Sequence, residues 1–376
     1  MRKSRLLIIS DTKIMSWDGH YRGFNSVVLE LEVFKEIFTE IAWIGTNYND
    51  YPMDESLLPI PSDVEIIYLP IIGGKSFLAK IRSIRQGLKY LSWAIKKLPS
   101  SDVIHVRGPN AVSFLVLFLA PFYRKKTWWF KYANNWVDTN AGFTWKVQRF
   151  LLKRFSFLKV SVNGKWPSDP KHIVPLENPC LINDELVIHP VSSNKGYRLL
   201  FVGRIEIEKG IVNFLTVING LNDEYLDKII EVNIIGDGPE IKNVIQLAKV
   251  SRVKINVLGK LSKDLVLKMM SESNYLVLPS VASEGFPKVI AEAWSMGCIP
   301  ITTDVSSIGQ YVFNGLNGFV FSTDDVKKNL HKALIRALCL PVFDFEKMVV
   351  NSESNLRLFT YNHYKKQILE KIICVV

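Results

Sequence analysis

The chain has 376 residues, of which 48% are hydrophobic and 22% are charged, and its formal net charge at pH 7 is +11. This is the composition of a globular protein, and the length is sufficient for two domains that each bury a core. The longest apolar run, Ala111 to Phe122, is shorter than the ~20 residues that a membrane-spanning helix needs, which argues against an integral membrane protein.

Short apolar runs alternate with helical patterns along the chain, which predicts parallel sheets covered by helices. The first run, Leu6 to Ile9, follows basic residues but ends at Ser10, so we interpret it as part of a first strand, Arg5–Ile9, and not as a signal peptide. Helices are predicted around Phe24–Phe38 and Phe77–Lys97. The other predicted strands of the first half are Glu40–Ile44, Val64–Leu69, Val103–Val106, Thr127–Tyr132 and Lys159–Val162.

A less regular segment, from Glu177-Asn178-Pro179 through Pro190-Val-Ser-Ser-Asn194, predicts a linker. A second series of predicted strands follows at Leu199–Val202, Glu231–Ile235, Lys254–Leu258, Tyr275–Leu278, Ile299–Thr302 and Phe319–Phe321. We therefore predict an α/β protein with two doubly wound, Rossmann-like domains, residues 1–180 and 181–355. The last segment, residues 356–376, is predicted to be helical and to return to the first domain.

Cysteine and charge patterns bear on the compartment and the partners. The four cysteines are widely spaced, which favours reduced thiols in a cytoplasmic protein; they are Cys180, Cys298, Cys339 and Cys374. Residues 1–190 hold 25 Lys and Arg against 17 Asp and Glu, and the basic segments Lys75–Lys97 and Arg124–Lys131 belong to this half. The second is interleaved with Trp128, Trp129 and Phe130. We favour a solvated helix face and a buried strand for these segments, ahead of membrane contact and nucleic-acid binding.

Ligands of open parallel sheets bind at the carboxyl ends of the strands, so the loops that follow the strands are the places to search. The loop Gly203–Gly210 carries Arg204 and Lys209, a guanidinium fork and a point charge that suit two phosphates. Alternatively, both cations pair with Glu206 and Glu208 at the surface.

The next two loops are rich in glycine. Gly236-Asp-Gly238 begins like a dinucleotide-binding fingerprint, but Ile241 stands where a third glycine is needed, which weakens an oxidoreductase interpretation. Leu258-Gly-Lys260-Leu261 follows the next strand and is expected to face the same cleft.

The most informative segment is Glu284-Gly-Phe-Pro-Lys-Val-Ile-Ala-Glu292. Pro287 suits a first helical turn and Gly297 suits the residue beyond a helix end, so a helix is predicted from about Pro287 to Met296. The free N–H groups at its start, with Lys288 beside them, form a ready phosphate site. Glu284 and Glu292 can then hold different parts of one sugar phosphate; alternatively, Lys288 is solvated and Glu292 lies on an exposed face.

Taken in order, the Arg204 and Lys209 loop, the Gly236–Pro239 turn and the Glu-x7-Glu segment resemble the retaining nucleotide-sugar glycosyltransferases of the "group 1" family, which is similar to family 4. The resemblance extends over roughly residues 198–322, including Asn314-Gly-Leu-Asn-Gly-Phe-Val-Phe. It implies the GT-B fold, in which two Rossmann-like domains face a central cleft.

The resemblance also implies roles for the donor site. Glu292 would hold the ribose hydroxyls, Glu284 the donor sugar, and Arg204 and Lys209 the diphosphate, where they would offset the charge that grows on the leaving group. Arg204, Lys209 and Glu284 are accordingly the predicted catalytic residues. The backbone that follows Glu284 would hold the distal phosphate, and the full set of further donor-binding predictions is Gly19, Gly203, Gly236, Gly238, Lys260, Leu261, Gly285, Phe286, Pro287, Lys288, Val289 and Glu292.

The implied mechanism requires neither a protein nucleophile nor a cofactor. The family attacks from the face that the nucleotide leaves, and two cations with a helix start can stabilise a leaving nucleoside diphosphate without metal. The sequence offers no Asp-x-Asp pair and no His cluster as a competing metal site.

The first domain departs from the family pattern. Lys131-Tyr-Ala-Asn134-Asn135 follows a strand after which many relatives carry a histidine, and His105-Val-Arg107 stands where relatives often have His-x-His. Arg107, Asn134 and Asn135 are acceptor-side candidates, whereas His105 is interpreted as a packed core histidine. The loop after the first strand, Asp11–His20, is expected to approach the diphosphate at Gly19.

The sequence thus predicts a cytoplasmic, metal-independent, hexosyltransferase-type enzyme that moves a sugar from a nucleoside-diphosphate sugar to an acceptor hydroxyl with retention of configuration. The expected acceptor is a glycan or lipid-linked glycan of cell-surface polysaccharide or glycolipid biosynthesis; nucleic acid is not an expected partner. Peripheral contact with an anionic membrane surface is a further hypothesis. Two alternatives stay open, an epimerase of the same fold, which would need additional acid–base residues, and a non-catalytic nucleotide- or glycan-binding subunit.

Overall fold

The computed structural model describes residues 4–52, 57–72, 77–182, 196–282 and 284–374. The chain forms two compact units, Met1–Asn178 together with Tyr361–Val376, and Pro179–Thr360. The first boundary between the units follows Asn178, two residues before the boundary expected from the sequence. The second boundary follows Thr360, five residues after the expected one. The end of the expected linker, Pro190–Asn194, and Lys75 of the first basic segment lie outside the described residues.

Within the described residues, the first unit is built on a sheet of nine strands, β1 Arg5–Trp17, β2 His20–Phe24, β3 Glu40–Asn47, β4 Leu57–Pro59, β5 Val64–Leu69, β6 Val103–Gly108, β7 Thr127–Tyr132, β8 Lys159–Val162 and β9 Ile173–Pro175. Seven of them are parallel in the order β5-β3-β1-β6-β7-β8-β9. The outer part of β1 turns back into β2, which pairs antiparallel with β1 and β4.

Helices cover this sheet, namely α1 Asn25–Ile37, α2 Phe77–Lys97, α3 Ala111–Leu117 and α4 Phe143–Arg154, with 3₁₀ turns at Leu98–Ser100 and Ala120–Tyr123. The predicted apolar run therefore forms α3 and a 3₁₀ turn. Asn110 caps α3 by accepting a hydrogen bond from the Ser113 N–H at 2.7 Å. None of the helices in the described ranges has both the length and the hydrophobicity of a membrane span.

The expected loop Asp11–His20 is wrong as a secondary-structure prediction, because these residues form the outer half of β1 and a tight hairpin. Asp18 and Gly19 occupy the turn with φ of 49° and 76°, and Trp17 pairs with His20 across it. Positive φ at both central residues is the type I′ geometry that an Asp-Gly pair favours. The Asp-Gly dipeptide was the sequence signal for this hairpin.

The C-terminal segment packs on the first unit, as predicted. It forms α12 Tyr361–Gln367, and a π-helical turn, Ile368–Ile373, continues it. Tyr364, Ile368 and Ile372 are buried in one core with Phe34 and Trp129. The return of the chain to its first unit therefore completes a hydrophobic core and is not a surface contact.

In the part of the second unit that the structure describes there are six parallel strands, β10 Tyr197–Val202, β11 Ile229–Ile235, β12 Ile255–Gly259, β13 Tyr275–Leu278, β14 Ile299–Thr303 and β15 Phe319–Phe321. Their order is β12-β11-β10-β13-β14-β15. The helices are α5 Ile211–Asn219, α6 Asp223–Leu226, α7 Ile241–Lys249, α8 Lys263–Ser271, α9 Lys288–Ser295, α10 Val326–Leu338 and α11 Val342–Leu356, with 3₁₀ turns at Ile207–Lys209, Ile308–Gln310 and Arg357–Phe359. This strand order is that of a doubly wound Rossmann sheet, as predicted.

Candidate functional site

The strand order of the second unit locates its binding edge. β10 and β13 are neighbours, and successive strands are added outward from them in opposite directions, so a crevice forms where the loops that follow them diverge. Lys209 belongs to the loop after β10 and Glu284 to the loop after β13. Their side chains meet with Lys209 Nζ 2.6 Å from Glu284 Oε2, and the lysine side chain is only 13% exposed. Two of the predicted catalytic residues are therefore in direct contact at the switch point.

Backbone contacts hold these two loops together. Gly210 has φ of 75°, and a Cβ at this position would overlap the carbonyl group of Pro279. The Val281 N–H donates to the Glu208 carbonyl at 2.8 Å, and the Ser280 hydroxyl lies 3.3 Å from both that carbonyl and Glu284 Oε1. Only glycine permits this approach, because it accepts the left-handed conformation and has no side chain.

Glycines of the neighbouring loops are needed for the same reason. Gly236 has φ of 141°, and a Cβ there would overlap the carbonyl oxygen of Gly203. A Cβ on Gly238 would lie 2.5 Å from the Ile205 carbonyl oxygen. A Cβ on Gly203, in contrast, would meet only the Phe201 ring, at 3.7 Å. Gly236 and Gly238 thus pack the loops against each other, and their proposed contact with a donor stays a prediction.

The structure separates the two cations of the loop after β10. Arg204 is 71% exposed and its Nη1 lies 2.7 Å from Glu206 Oε1, which is the surface pairing considered as the alternative from the sequence. Lys209 does not follow that alternative, because its ion pair is with Glu284. The structure thus places Lys209 in the crevice and Arg204 at the surface.

The predicted helix after Glu284 is present and slightly shorter. α9 begins at Lys288 with Pro287 as its N-cap residue, and Gly297 follows its end with φ of 73°. Phe286 is buried, stacked on Phe359 with the ring centres 4.6 Å apart. Gly285 is buried, while Lys288 and Val289 are half-buried. Pro287 has no N–H, so among the predicted phosphate-binding residues it is unable to donate a backbone hydrogen bond.

Glu292 lies one turn further along α9 and is paired with Lys263 at the start of α8. Burial raises the pKa of the Cys180 thiol to about 12, and the charge of the Glu292 carboxylate contributes to the increase. Lys260 is exposed, and Leu261 packs against the core of the unit. Sequence reasoning did not single out Lys263, although its place just after the Lys260-Leu261 loop was a usable signal.

In the first unit, Arg107 is held in a buried ionic cluster. Its Nη1 lies 2.5 Å from Glu30 Oε2, and Lys131 Nζ lies 2.8 Å from Glu30 Oε1. Tyr364 also donates to Glu30, at 3.1 Å. Burial lowers the pKa of Arg107, but the Glu30 carboxylate more than offsets this and the net shift is upward. The guanidinium thus has a structural partner, and its role toward an acceptor stays a prediction.

His105 is a fully buried residue that stacks on Trp129, with the ring centres 3.7 Å apart. Burial, with Arg107 contributing, holds the pKa of its imidazole well below the ordinary value. Its surroundings match the interpretation as a packed core histidine.

Asn134 and Asn135 follow β7 and are half-buried. The Asn135 side chain accepts a hydrogen bond from the Val137 N–H at 3.1 Å and so shapes its own turn. Gly19 lies at the tip of the hairpin, and a Cβ there would meet no atom within 4 Å. The acceptor-side roles of Asn134 and Asn135 and the donor-binding role of Gly19 stay predictions.

A polar pair at the edge of the first sheet was missed. β1 and β6 flank the switch point of that sheet. Asp11 lies in the irregular part of β1, where the parallel pairing with β3 shifts register between Ile9 and Lys13. Its Oδ1 accepts a hydrogen bond from Asn110 Nδ2, after β6, at 2.8 Å. Although Asp11 is exposed as a residue, burial of its carboxyl raises its pKa. The Ser10-Asp11 sequence at the end of a predicted strand was the available signal.

Within the described ranges, no group of three or more His, Cys, Asp or Glu side chains is arranged to hold a metal ion.

The fold and this crevice define the class of the protein, a two-unit α/β protein whose second unit presents a lysine–glutamate pair at a switch point. Residues 185–352 match the family described as "Glycosyl transferases group 1". This match covers less than half of the chain and lies within the second unit, and it agrees with the resemblance found in the sequence.

Curated relatives resemble only part of the chain. An uncharacterized glycosyltransferase of Methanocaldococcus jannaschii is 30% identical over 140 residues, which are 37% of this chain and 37% of that protein. Glycogen synthase of Mycobacterium tuberculosis is 29% identical over 130 residues, 34% of this chain and 31% of that enzyme. The matched part of the chain thus spans about a third of the length of these relatives.

Solved structures resemble the whole chain in fold. HepE of Anabaena in complex with UDP has a TM-score of 0.70 at 14% identity and covers 99% of this chain and 100% of its own. The lipopolysaccharide outer core galactosyltransferase WaaB, in its apo form, has a TM-score of 0.66 at 16% identity and covers 98% and 99%. These likenesses show the fold, which is of the predicted GT-B class.

Proposed function

We propose that the protein is a glycosyltransferase that moves a sugar from a nucleoside-diphosphate sugar to an acceptor hydroxyl, with retention of configuration and without a metal ion. The observation that carries the proposal is the Lys209–Glu284 pair at the switch point of the second unit. Immediately after it α9 begins, and the first N–H groups of a helix attract phosphate. A cation and a helix start at one crevice suit a diphosphate that gains negative charge as it leaves.

The family and the relatives support this choice over other nucleotide-binding functions. The matched family is one of glycosyl transferases, and the curated relatives bear the names of a glycosyltransferase and a glycogen synthase. HepE has been solved with UDP and with UDP-glucose. UDP is therefore the first nucleotide to test, and a hexose the first sugar.

Donor binding is tested by thermal unfolding of the native chain and of Glu292→Ala with UDP, GDP, ADP and CMP, in the presence of EDTA. A ligand at 100 times its dissociation constant adds about 2.7 kcal/mol of stability. We expect one nucleoside diphosphate to stabilise the native chain and to have a much smaller effect on the variant. No shift with any of them would contradict the proposed donor site.

Transfer and its stereochemistry need a separate measurement. Product formed from the matching α-linked nucleotide sugar is followed by the anomeric proton signal in NMR, with EDTA and with added Mg²⁺. Retention of configuration gives an α-linked product. Independence of metal gives equal rates with EDTA and with Mg²⁺. An inverted product or an absolute need for Mg²⁺ would contradict the proposal, and a changed sugar without any acceptor would favour the epimerase.

For the acceptor we propose a glycan or lipid-linked glycan, reached at the inner face of an anionic membrane. The support is the basic first half of the chain and the exposed apolar groups near it: Phe122 is 83% exposed, two residues before the exposed Arg124-Lys125 pair. Asp11 and Asn110 at the edge of the first sheet are candidates to hold acceptor hydroxyls.

Membrane contact is tested by cosedimentation with phosphatidylglycerol vesicles at low salt, with phosphatidylcholine vesicles as control. We expect binding of the native chain and a clear loss in Phe122→Ser combined with Lys125→Ser. Failure of the native chain to bind would remove the membrane from the proposal.

A further inference from the structure

Glu292 has a partner outside the predicted donor-binding set. Its Oε1 atom forms an ion pair with the ammonium group of Lys263. Lys263 is the first residue of α8, and Glu292 is on α9, so the pair connects two adjacent helices at the edge of the second unit. Within the described residues it is the only ion pair of Glu292.

This carboxylate is in a confined place. The side chain of Glu292 is 14% exposed, whereas that of Lys263 is 43% exposed and reaches it from the solvent side. The half-buried Cys180 contacts the same helix, with its Sγ 3.7 Å from the carbonyl oxygen of Lys288, one turn before Glu292. Because the carboxylate is mostly buried and is paired with the Lys263 ammonium group, its direction depends on Lys263.

The pair leaves acceptor capacity on the carboxylate. An ionised carboxylate has about four lone-pair sites, and the ammonium needs one of them. Two vicinal hydroxyl groups are able to donate to the remaining sites, one to each oxygen. A ribose presents such a pair, whereas a 2′-deoxyribose has lost one of the two donors.

We propose that Lys263 is a positioning residue that fixes the Glu292 carboxylate so that it accepts hydrogen bonds from both ribose hydroxyls of the donor nucleotide, and that it thereby sets the preference for ribonucleotides over 2′-deoxyribonucleotides. The inference rests on the proposed function. A glutamate loses rotamer freedom when it is fixed, so a carboxylate that is already held binds the ribose with a smaller entropic cost.

The test is isothermal titration calorimetry of UDP, GDP and ADP, each beside its 2′-deoxy form, with the native chain and its variants. We expect the native chain to prefer the ribose form of its nucleotide by about tenfold or more, the worth of one hydrogen bond to a charged group. In Lys263→Met, which keeps the length of the side chain and removes its charge, the preference should fall below about threefold. Lys263→Arg restores a cation and should restore most of the preference.

Lys268→Met is the matched control, because this exposed lysine belongs to the same helix. It should leave both affinities unchanged. Thermal unfolding of all variants without nucleotide shows whether any of them is less stable, and the ratio of the two affinities is insensitive to a general loss of folded protein.

The outcomes separate the inference from the function on which it rests. If the native chain binds a nucleoside diphosphate but Lys263→Met keeps the full ribose preference, the inference alone is overturned. Tighter binding of the ribonucleotide by Lys263→Met would also overturn it, because Lys263 would then compete with the ribose. If the native chain binds none of the nucleotides, the proposed function is overturned, and the inference with it.

Discussion

Lys209 and Glu284 form the closest contact between the two loops that flank the switch point. In the proposed reaction, a cation in this place would stabilise negative charge on the leaving diphosphate. Its ion pair with Glu284 would fix the direction of the ammonium group before the donor binds. We expect Lys209→Met to lower kcat about 100- to 1000-fold, the usual effect of removing a group that stabilises transition-state charge. The measurement is steady-state kinetics with varied donor.

Lys242→Met, on the exposed side of α7, is the control for loss of a surface charge. It should leave kcat unchanged. If Lys209→Met altered only the KM of the donor and left kcat intact, Lys209 would contribute to binding but not to departure of the nucleotide.

Gly236 and Gly203 lie in neighbouring loops and provide a matched pair of positions for glycine-to-alanine substitution. A Cβ on Gly236 would overlap the Gly203 carbonyl in a left-handed conformation, so Gly236→Ala should destabilise the second unit by about 2 kcal/mol or more. A Cβ on Gly203 meets only a ring at ordinary contact distance, so Gly203→Ala should change the free energy of unfolding by less than about 1 kcal/mol. Urea denaturation compares the two, and equal losses would contradict this explanation.

At the scale of elements, the strands and the helix after Glu284 were predictable because their signals are local. The β13 strand is a continuous apolar run, and Pro287 and Gly297 mark the ends of α9. The hairpin of β1 and β2 was missed because the polar, alternating outer half of β1 resembles a loop, although the Asp18-Gly19 pair indicates a turn.

The sequence predicted which loops form the candidate site, but not which of their side chains are in contact. Sequence order placed Lys209 and Glu284 after different strands, but their contact depends on β10 and β13 being neighbours, which is a property of the sheet. Likewise, the partners of Arg107 and Glu292 are far away in the chain or on another helix, so neither ion pair has a local signature.

The predicted donor-binding loop, Glu284 to Pro287, is packed on the segment by which the chain leaves the second unit. Phe286 stacks on Phe359, and Phe359 is fully buried. We expect Phe359→Ala to destabilise the second unit by about 3–5 kcal/mol, because a large cavity would open under the start of α9. Urea denaturation measures this loss, and Phe343→Ala, at an exposed position of α11, should cost little.

Phe359→Leu refills most of the space without a stacking ring. It should retain more stability than Phe359→Ala, and nucleotide affinity measured on its folded fraction reports whether the stack also orders the donor loop. Equal stability of the native chain and Phe359→Ala would show that the loop does not depend on this packing.

At the scale of the whole molecule, each unit has its own core, and two separate segments of the chain form the first unit. The C-terminal segment stabilises the first unit, since burial of a large side chain contributes about 1.5–3 kcal/mol and Tyr364, Ile368 and Ile372 are all buried. Their sum is comparable with the 5–15 kcal/mol by which a whole domain is stable. We therefore expect the C-terminal segment to contribute a large part of the stability of the first unit.

A chain that ends at Thr360 is expected to lose stability in the first unit only. Without Tyr364, Glu30 also loses a hydrogen-bond donor beside Arg107 and Lys131. Hydrogen exchange followed by mass spectrometry should show faster exchange in β1, β3 and β6, while β10 and β13 keep their protection, because their core contains no residue after Thr360. Tyr364→Phe, which keeps the ring and removes the hydroxyl, should give a smaller change in the same strands. Equal loss of protection in both units would contradict this division and would mean that the two cores unfold as one cooperative body.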